Sequence, residues 1–218
     1  LEKTPRIPSL EAVGLDCSRG GRALFSNLSF TLRAGMLLRI AGANGSGKTS
    51  LLRIACGLLE PSGGEVLWAG ENIRRLQEEF WRQLVYIGHA HAIKDDLSAV
   101  ENLEVACILA GIDVRREQLG EALRRLGLAG FERLPGRVLS QGQRRRVALS
   151  RLALAESAPL WILDEPFTAL DAAALDCVRT LMAEQVSRGG SVLYTTHYET
   201  KIVSETSLSI ELNLGPTA

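Results

Sequence analysis

The sequence predicts an α/β protein. It has a core built around a glycine-rich phosphate loop, an antiparallel β subdomain ahead of that loop and an inserted α-helical lobe after it. Three observations carry this reading. Residues 42 to 49, Gly-Ala-Asn-Gly-Ser-Gly-Lys-Thr, sit between an apolar run and a helical pattern. Short strands separated by turns come before them. A capped helix and an amphipathic one are expected in the stretch between residues 98 and 135.

In chain order, residues 1 to 9 hold two prolines and read as a loose arm. Leu10 to Cys17 alternates weakly, as a strand does. Gly20-Gly21 marks a tight turn, and Leu24 to Leu32 and Met36 to Ala41 read as strands joined through Arg33-Ala34-Gly35. Ser50 to Gly57 reads as a helix, with Leu51, Leu52, Ile54 and Ala55 on its apolar face. Glu65 to Ala69 is a short strand, Arg74 to Gln83 a short helix and Leu84 to Gly88 a strand. His89 to Leu97 is polar and aperiodic, hence a loop. Ser98 and Glu101 are spaced as a capping box for a helix to about Ala110. Val114 to Leu126 places Leu119, Ala122, Leu123 and Leu126 on one stripe. Ser140 opens a helix through about Ala155. Leu160 to Leu163 is an apolar strand ending in Asp164-Glu165-Pro166. A helix over Asp171 to Ser187, a strand over Ser191 to Thr195 and a last strand over Ser207 to Leu212 complete the chain. The expected organisation is one domain over residues 1 to 218. Its core covers about 1–88 and 136–218, and its helical lobe about 89–135.

Each residue type in the glycine-rich stretch has a chemical reason. Gly42, Gly45 and Gly47 let the backbone turn its N–H groups into one concavity, with Ala43, Asn44 and Ser46 between them. The following helix end adds free donors and positive dipole for a polyphosphate. Lys48 supplies a point charge to the β- and γ-phosphates, and the Thr49 hydroxyl a ligand for Mg²⁺. Asp164, at the end of an apolar strand, fits the acidic partner of that Mg²⁺. Glu165 leaves the strand on the other side and can polarise a water.

Other features admit a plainer reading beside the functional one. Ser140, Gln141 and Gly142 open a second helix N-terminus suited to a phosphate, or simply to ordinary capping by Ser140. One nucleotide fills the first site, so a second anion-binding helix end is most economically used on a nucleotide held by another subunit. His197 can meet a terminal phosphate or serve the fold. Arg144, Arg145 and Arg146 fan across about 200° of a helix, so a solvated face is expected rather than a nucleic-acid patch. His89 and His91 lack a third ligand for a metal.

The totals agree with this reading. The chain has 218 residues, 25 basic and 25 acidic, so bulk electrostatics do not hold a nucleic acid. It has no run of 18 or more apolar residues, and its first residues lack the apolar core of a secretion signal. Cys17, Cys56, Cys107 and Cys177 form no C-x-x-C pair; reduced, buried thiols in a cytosolic protein are expected.

In this order, GANGSGKT, a helical lobe, LSQGQ, WILDEP, ALD and TTH, the chain resembles the ATP-binding subunits of ABC transporters over nearly its whole length. The resemblance implies an ABC-type P-loop NTPase with a RecA-like core. It implies ATP and Mg²⁺ at residues 42 to 49 and Asp164, a catalytic carboxylate at Glu165 and a switch histidine at His197. It also implies a head-to-tail homodimer in which Ser140 and Gly142 meet the partner's ATP, with Gln141 and Asp171 at the interface. The helical lobe would dock on membrane subunits.

A narrower likeness is to the ATPases of cytochrome c maturation. It rests on Leu24 to Phe30, Gly63 to Trp68, Tyr86 to His89, Leu128 to Glu132 and Trp161 to Asp171. It implies integral membrane subunits of that transporter, an indirect link to haem and its periplasmic chaperone, and a peripheral place on the cytoplasmic side of the inner membrane.

Three positions depart from the wider family. His89 stands where a glutamine is usual, a form the narrower group shares, at a coupling loop. No aromatic residue lies near Cys17 to Arg19 to stack on adenine, which leaves the Arg19 guanidinium for that face. Gln141 replaces a glycine. The rival readings are an exporter of another cargo, a soluble ATPase of this type acting on nucleic acid or ribosomes, and a nucleotide-dependent scaffold with little turnover.

Overall fold

The computed structural model describes residues 8–196 and 207–212. Two strands open the chain, β1 (Ser9–Arg19) and β2 (Arg22–Arg33), joined by the Gly20-Gly21 turn with φ of 58° and 77°. Then follow β3 (Leu37–Gly42), α1 (Lys48–Ala55), β4 (Gly63–Trp68), β5 (Glu71–Asn72), α2 (Ile73–Leu76), α3 (Glu78–Trp81) and β6 (Leu84–Ile87). The helices α4 (Ala99–Leu109) and α5 (Arg116–Arg125) come next, then α6 (Gln141–Ser150), β7 (Leu160–Leu163), α7 (Ala172–Ser187), β8 (Ser191–Thr195) and β9 (Ser207–Leu212).

The strands form two sheets. One is antiparallel, in the order β2-β1-β4-β5, and shares a hydrophobic core with α1 and the other sheet. The second is parallel, in the order β6-β7-β8-β3-β9. Its central strands β7 and β8 are buried at every position, as parallel strands covered on both faces must be. Ile87 pairs with Leu163, Leu163 with Tyr194, and Ile40 with Thr195. The strands therefore end at one level, and their carboxyl ends make one rim. Ligands in open parallel sheets sit outside such a rim.

Helices α4 and α5 carry a separate apolar cluster of Leu103, Leu119 and Leu123, joined by Leu128, Leu139 and Val147. Ser98 and Pro135 pair as an isolated bridge where this stretch leaves and rejoins the rest. The capping box is formed: the Ser98 Oγ accepts from Glu101 N, and the Glu101 carboxylate accepts from Ser98 N. Buried Asn102 stitches the preceding loop to α4. Its amide donates to the carbonyls of Lys94, Leu97 and Ser98, and its Oδ1 accepts from Lys94 N.

The expected single helix over Arg74 to Gln83 is two short ones. Gln77 breaks it with φ +42° and ψ −111°, a conformation no glycine or proline announces. The helix from Ser140 is α-helical only to Ser150 and then tightens to a 3₁₀ turn over Arg151–Leu154. The two-residue β5 was not expected; it is too short for a periodicity. Cys17, Cys56 and Cys107 are buried free thiols and Cys177 is half-buried.

Candidate active site

The phosphate loop is shaped by close backbone approach. Gly42 has φ +139°, and a Cβ there would stand 2.5 Å from the Leu212 carbonyl oxygen of β9. Gly47, φ +99°, is the N-cap of α1 and offers no side-chain acceptor. The first N–H groups of α1 are thus left for a ligand. The Ser46 Oγ is buried and has no hydrogen-bond partner among the described residues. A Gly-lined turn, an uncapped helix end and an orphaned hydroxyl together fit a phosphate chain.

Lys48 is 7% exposed and its Nζ donates to the carbonyls of Gly42 at 2.8 Å and Ala43 at 3.0 Å. Burial pushes its pKa below the ordinary lysine value, and the carboxylates of Glu165 and Asp164 pull it back up. The ammonium rests on the two residues that open the loop, with Glu165 and Asp164 close enough to act on its charge.

Asp164 lies at the end of β7 and is 1% exposed. Both its oxygens are engaged by hydroxyls: Thr49 Oγ1 donates to Oδ2 at 2.9 Å, and Thr195 Oγ1 donates to Oδ1 at 2.9 Å. A threonine hydroxyl and a carboxylate facing one another are the hard oxygen donors that Mg²⁺ takes. Glu165 follows with φ +52°, a left-handed conformation uncommon for a residue other than glycine. Its N–H donates to Thr195 Oγ1 at 2.9 Å. Its carbonyl accepts from the Arg145 Nη2 at 2.9 Å, and the Asp164 carbonyl accepts from the same Nη2 at 2.7 Å.

Arg145 is 2% exposed, which corrects the expected solvated face over Arg144 to Arg146. The reason is spacing: on α6 it lies four residues before buried Leu149, on the inward stripe. Arg144 and Arg146 are on the outside of that stripe and pair with Asp95 and Asp171.

A cleft of about 440 Å³ gathers much of the predicted site. Its lining includes Arg19, Asn44, Gly45, Gly47, Lys48, Thr49, His89, Asp164 and Glu165. Ser140, Gln141, Gly142 and Asp171 are not in this lining. Ser140 caps α6, with Gln143 N donating to its Oγ at 3.2 Å. A Cβ on Gly142 would meet the Ala169 carbonyl oxygen at 2.7 Å, and Asp171 both caps α7 and pairs with Arg146. These residues form a second, separate group around the Ala169–Asp171 loop. His197 lies outside the described residues. Sequence reasoning missed Thr195 and Arg145; their signals were a hydroxyl at the end of an apolar strand and a charge on a core stripe.

His89 stands between this cleft and a second cavity of about 420 Å³, whose lining includes Tyr86, Gly88, His91, Leu103 and Val147. Burial, then the nearby Arg145 charge, holds His91 below the ordinary histidine value.

Comparison with known proteins gives one answer. The family model described as "ABC transporter" matches residues 25–168. The chain is 52% identical over 193 residues to the cytochrome c biogenesis ATP-binding export protein CcmA of Nitrosomonas europaea, covering 88% of this chain and 90% of that protein. It is 46% identical over 215 residues to the protein of the same name in Pseudomonas syringae pv. tomato, covering 97% and 99%. Among solved structures, an ATP-binding subunit of an ABC transporter superposes with a TM-score of 0.82 at 25% identity, covering 94% of this chain and 87% of that one. An ATP-binding cassette solved as a dimer in a post-hydrolysis state with ADP and Pi does so at 0.80 and 23%, covering 95% and 97%. The chain belongs to the ABC transporter family, on the side of its ATP-binding subunits and among the relatives named for cytochrome c biogenesis.

Proposed function

We propose that the chain is the ATP-hydrolysing subunit of an ABC transporter complex serving cytochrome c biogenesis. The observation that carries this is the network joining Thr49, Asp164, Thr195 and Glu165 at the rim of the parallel sheet, directly beside the phosphate loop. The names of the relatives supply the biogenesis role.

In this reading the loop N–H groups and Lys48 hold the phosphates of ATP, and Lys48 leaves its loop carbonyls to do so. Thr49 and Asp164 would hold Mg²⁺, which would neutralise phosphate charge. Glu165 accepts the proton of the water that attacks the γ-phosphorus; the P–O bond to ADP breaks and the proton ends on Glu165 or passes to phosphate. His197 orients that water or the γ-phosphate. Arg19 lies under the adenine.

Two copies close head-to-tail, so that Ser140 and Gly142 of one meet the ATP of the other, with Gln141 and Asp171 beside them. Solved neighbours that are dimeric support the pairing of two copies. The helical stretch from about residue 89 to 135 meets integral membrane subunits, with His89 in the loop that links them to the cleft. No helix among the described residues is long and apolar enough to cross a membrane. A peripheral place on the cytoplasmic face of the inner membrane therefore depends on those partners. ATP turnover is tied to haem export or to release of the haem-loaded chaperone. ATP moves the partner's equilibrium only through its differential affinity for the two states.

The test is phosphate release by the purified complex with its membrane subunits. Lys48→Ala should abolish ATP binding. Glu165→Gln should keep binding and lose turnover. Near-parental hydrolysis in Glu165→Gln would reject the assigned base, and co-purification with an unrelated permease would reject the biogenesis role.

A further inference from the structure

Arg145 is the most deeply buried arginine of the rim, and its hydrogen bonds go to three backbone carbonyls rather than to a carboxylate. Nη1 donates to Gly88 at 2.8 Å, and Nη2 donates to Asp164 at 2.7 Å and Glu165 at 2.9 Å. Burying a guanidinium is costly, and an apolar side chain of like size commonly serves a fold as well or better. The expense is concentrated where the backbone is least comfortable. Glu165 sits at φ +52°, and a non-glycine residue persists there only when its surroundings over-determine it. Here the peptide units are gripped from both sides: Thr195 takes the Glu165 N–H, and Arg145 takes the Glu165 carbonyl.

The same guanidinium reaches Gly88, the residue before His89. Its own Cα lies on α6, about 7.5 Å of helix beyond Ser140. We infer that Arg145 is a positioning residue for hydrolysis: it holds Glu165 in its left-handed conformation, and it joins that carboxylate to the helix headed by Ser140 and to the loop carrying His89. The inference rests on the proposed ATPase reading. It adds a physical link by which a nucleotide at the end of α6 bears on the carboxylate of the same chain.

The experiment compares Arg145→Lys and Arg145→Met with Arg151→Lys in steady-state ATP hydrolysis, with thermal melts of all three. Arg151 is a suitable comparator: it is half-buried and donates to a backbone carbonyl, that of Tyr86, and it belongs to no part of the carboxylate network. Both Arg145 variants should fold and lose about 10- to 100-fold in kcat, with KM for ATP within about twofold, as misplacement of a catalytic group does. Arg151→Lys should keep parental kcat. In a Glu165→Gln background, Arg145→Lys should leave the residual rate unchanged, because the group it aims is gone.

Parental kcat in either Arg145 variant overturns the inference. So does an equal loss in Arg151→Lys, a further drop in the double variant, or failure of both Arg145 variants to fold. The Glu165→Gln single variant reports on the ATPase reading separately: parental turnover there sinks the base, whatever Arg145 does.

Discussion

The Thr49 hydroxyl donates to the Asp164 carboxylate at 2.9 Å across 115 residues of sequence. Thr49 is in the first turn of α1 and Asp164 directly follows β7, so the bond ties the phosphate loop to the acidic strand. Two hard oxygen donors are thereby already paired.

Asp164→Asn should therefore weaken the response to Mg²⁺ more than the affinity for nucleotide. We expect the Mg²⁺ concentration for half-maximal phosphate release to rise at least about tenfold, in line with losses seen when an oxygen ligand or its neighbour is removed. Fluorescent-nucleotide binding in EDTA should change little. Equal loss in both assays would mean that Asp164 serves the loop and not the cation.

Glu165→Gln should bind ATP normally and turn over roughly 10²- to 10⁴-fold more slowly, the usual worth of a general base. Sedimentation in the presence of Mg²⁺ and ATP, with and without the membrane subunits, should show the variant accumulating as a nucleotide-held dimer. A monomer under both conditions would contradict the head-to-tail arrangement.

Gly142 has no room for a methyl group: a Cβ would stand 2.7 Å from the backbone oxygen of Ala169. Ala169 is itself left-handed at φ +62°, so it yields little. Gly142→Ala should push the first turn of α6 away from the Ala169–Asp171 loop. Binding of ATP to single subunits should hold within about threefold while turnover falls at least about tenfold, the pattern of a lost transition-state contact. Isothermal titration on the monomer beside a turnover assay separates the two.

Asp16 supplies a pH test of the antiparallel sheet. Its Oδ1 accepts from Ser26 Oγ at 2.6 Å and from Asn27 N at 2.8 Å, and these bonds hold its pKa below the ordinary aspartate value. A depressed carboxylate contributes stability that is present above its unfolded value and lost as pH falls through the folded one. Asp16→Asn should thus lower the urea midpoint at neutral pH and converge on the parent as pH falls below the folded carboxyl's depressed value. A gap independent of pH would show that packing, and not charge, makes the difference.

What the chain revealed before folding was what short-range chemistry writes down. The Ser98–Glu101 capping box and the Gly42–Thr49 turn are contained within a few consecutive residues, so their spacing is their structure. The ends of the central strands were legible because Leu160 to Leu163 and Ser191 to Thr195 are buried on both faces and read as unbroken apolar runs or nearly so. Arg145 was misread because a run of like charges was taken as a unit, although Arg145 and Leu149 share one helix face and its neighbours do not. The break at Gln77 has no local signature. Thr195 acquired its role only when β8 was laid between β7 and β3, which is a fact of tertiary order.

That order has a consequence for how the protein comes into being. Gly42 pairs with Leu212, and the edge strand β9 closes against the very turn that is to cradle phosphate. During synthesis the turn leaves the ribosome long before that wall exists. A nascent or prematurely stopped polypeptide lacking Ser207–Leu212 would carry every residue of the GANGSGKT stretch and still be missing one side of the mould, so nucleotide should act as a ligand of the finished subunit and not as a template for its folding.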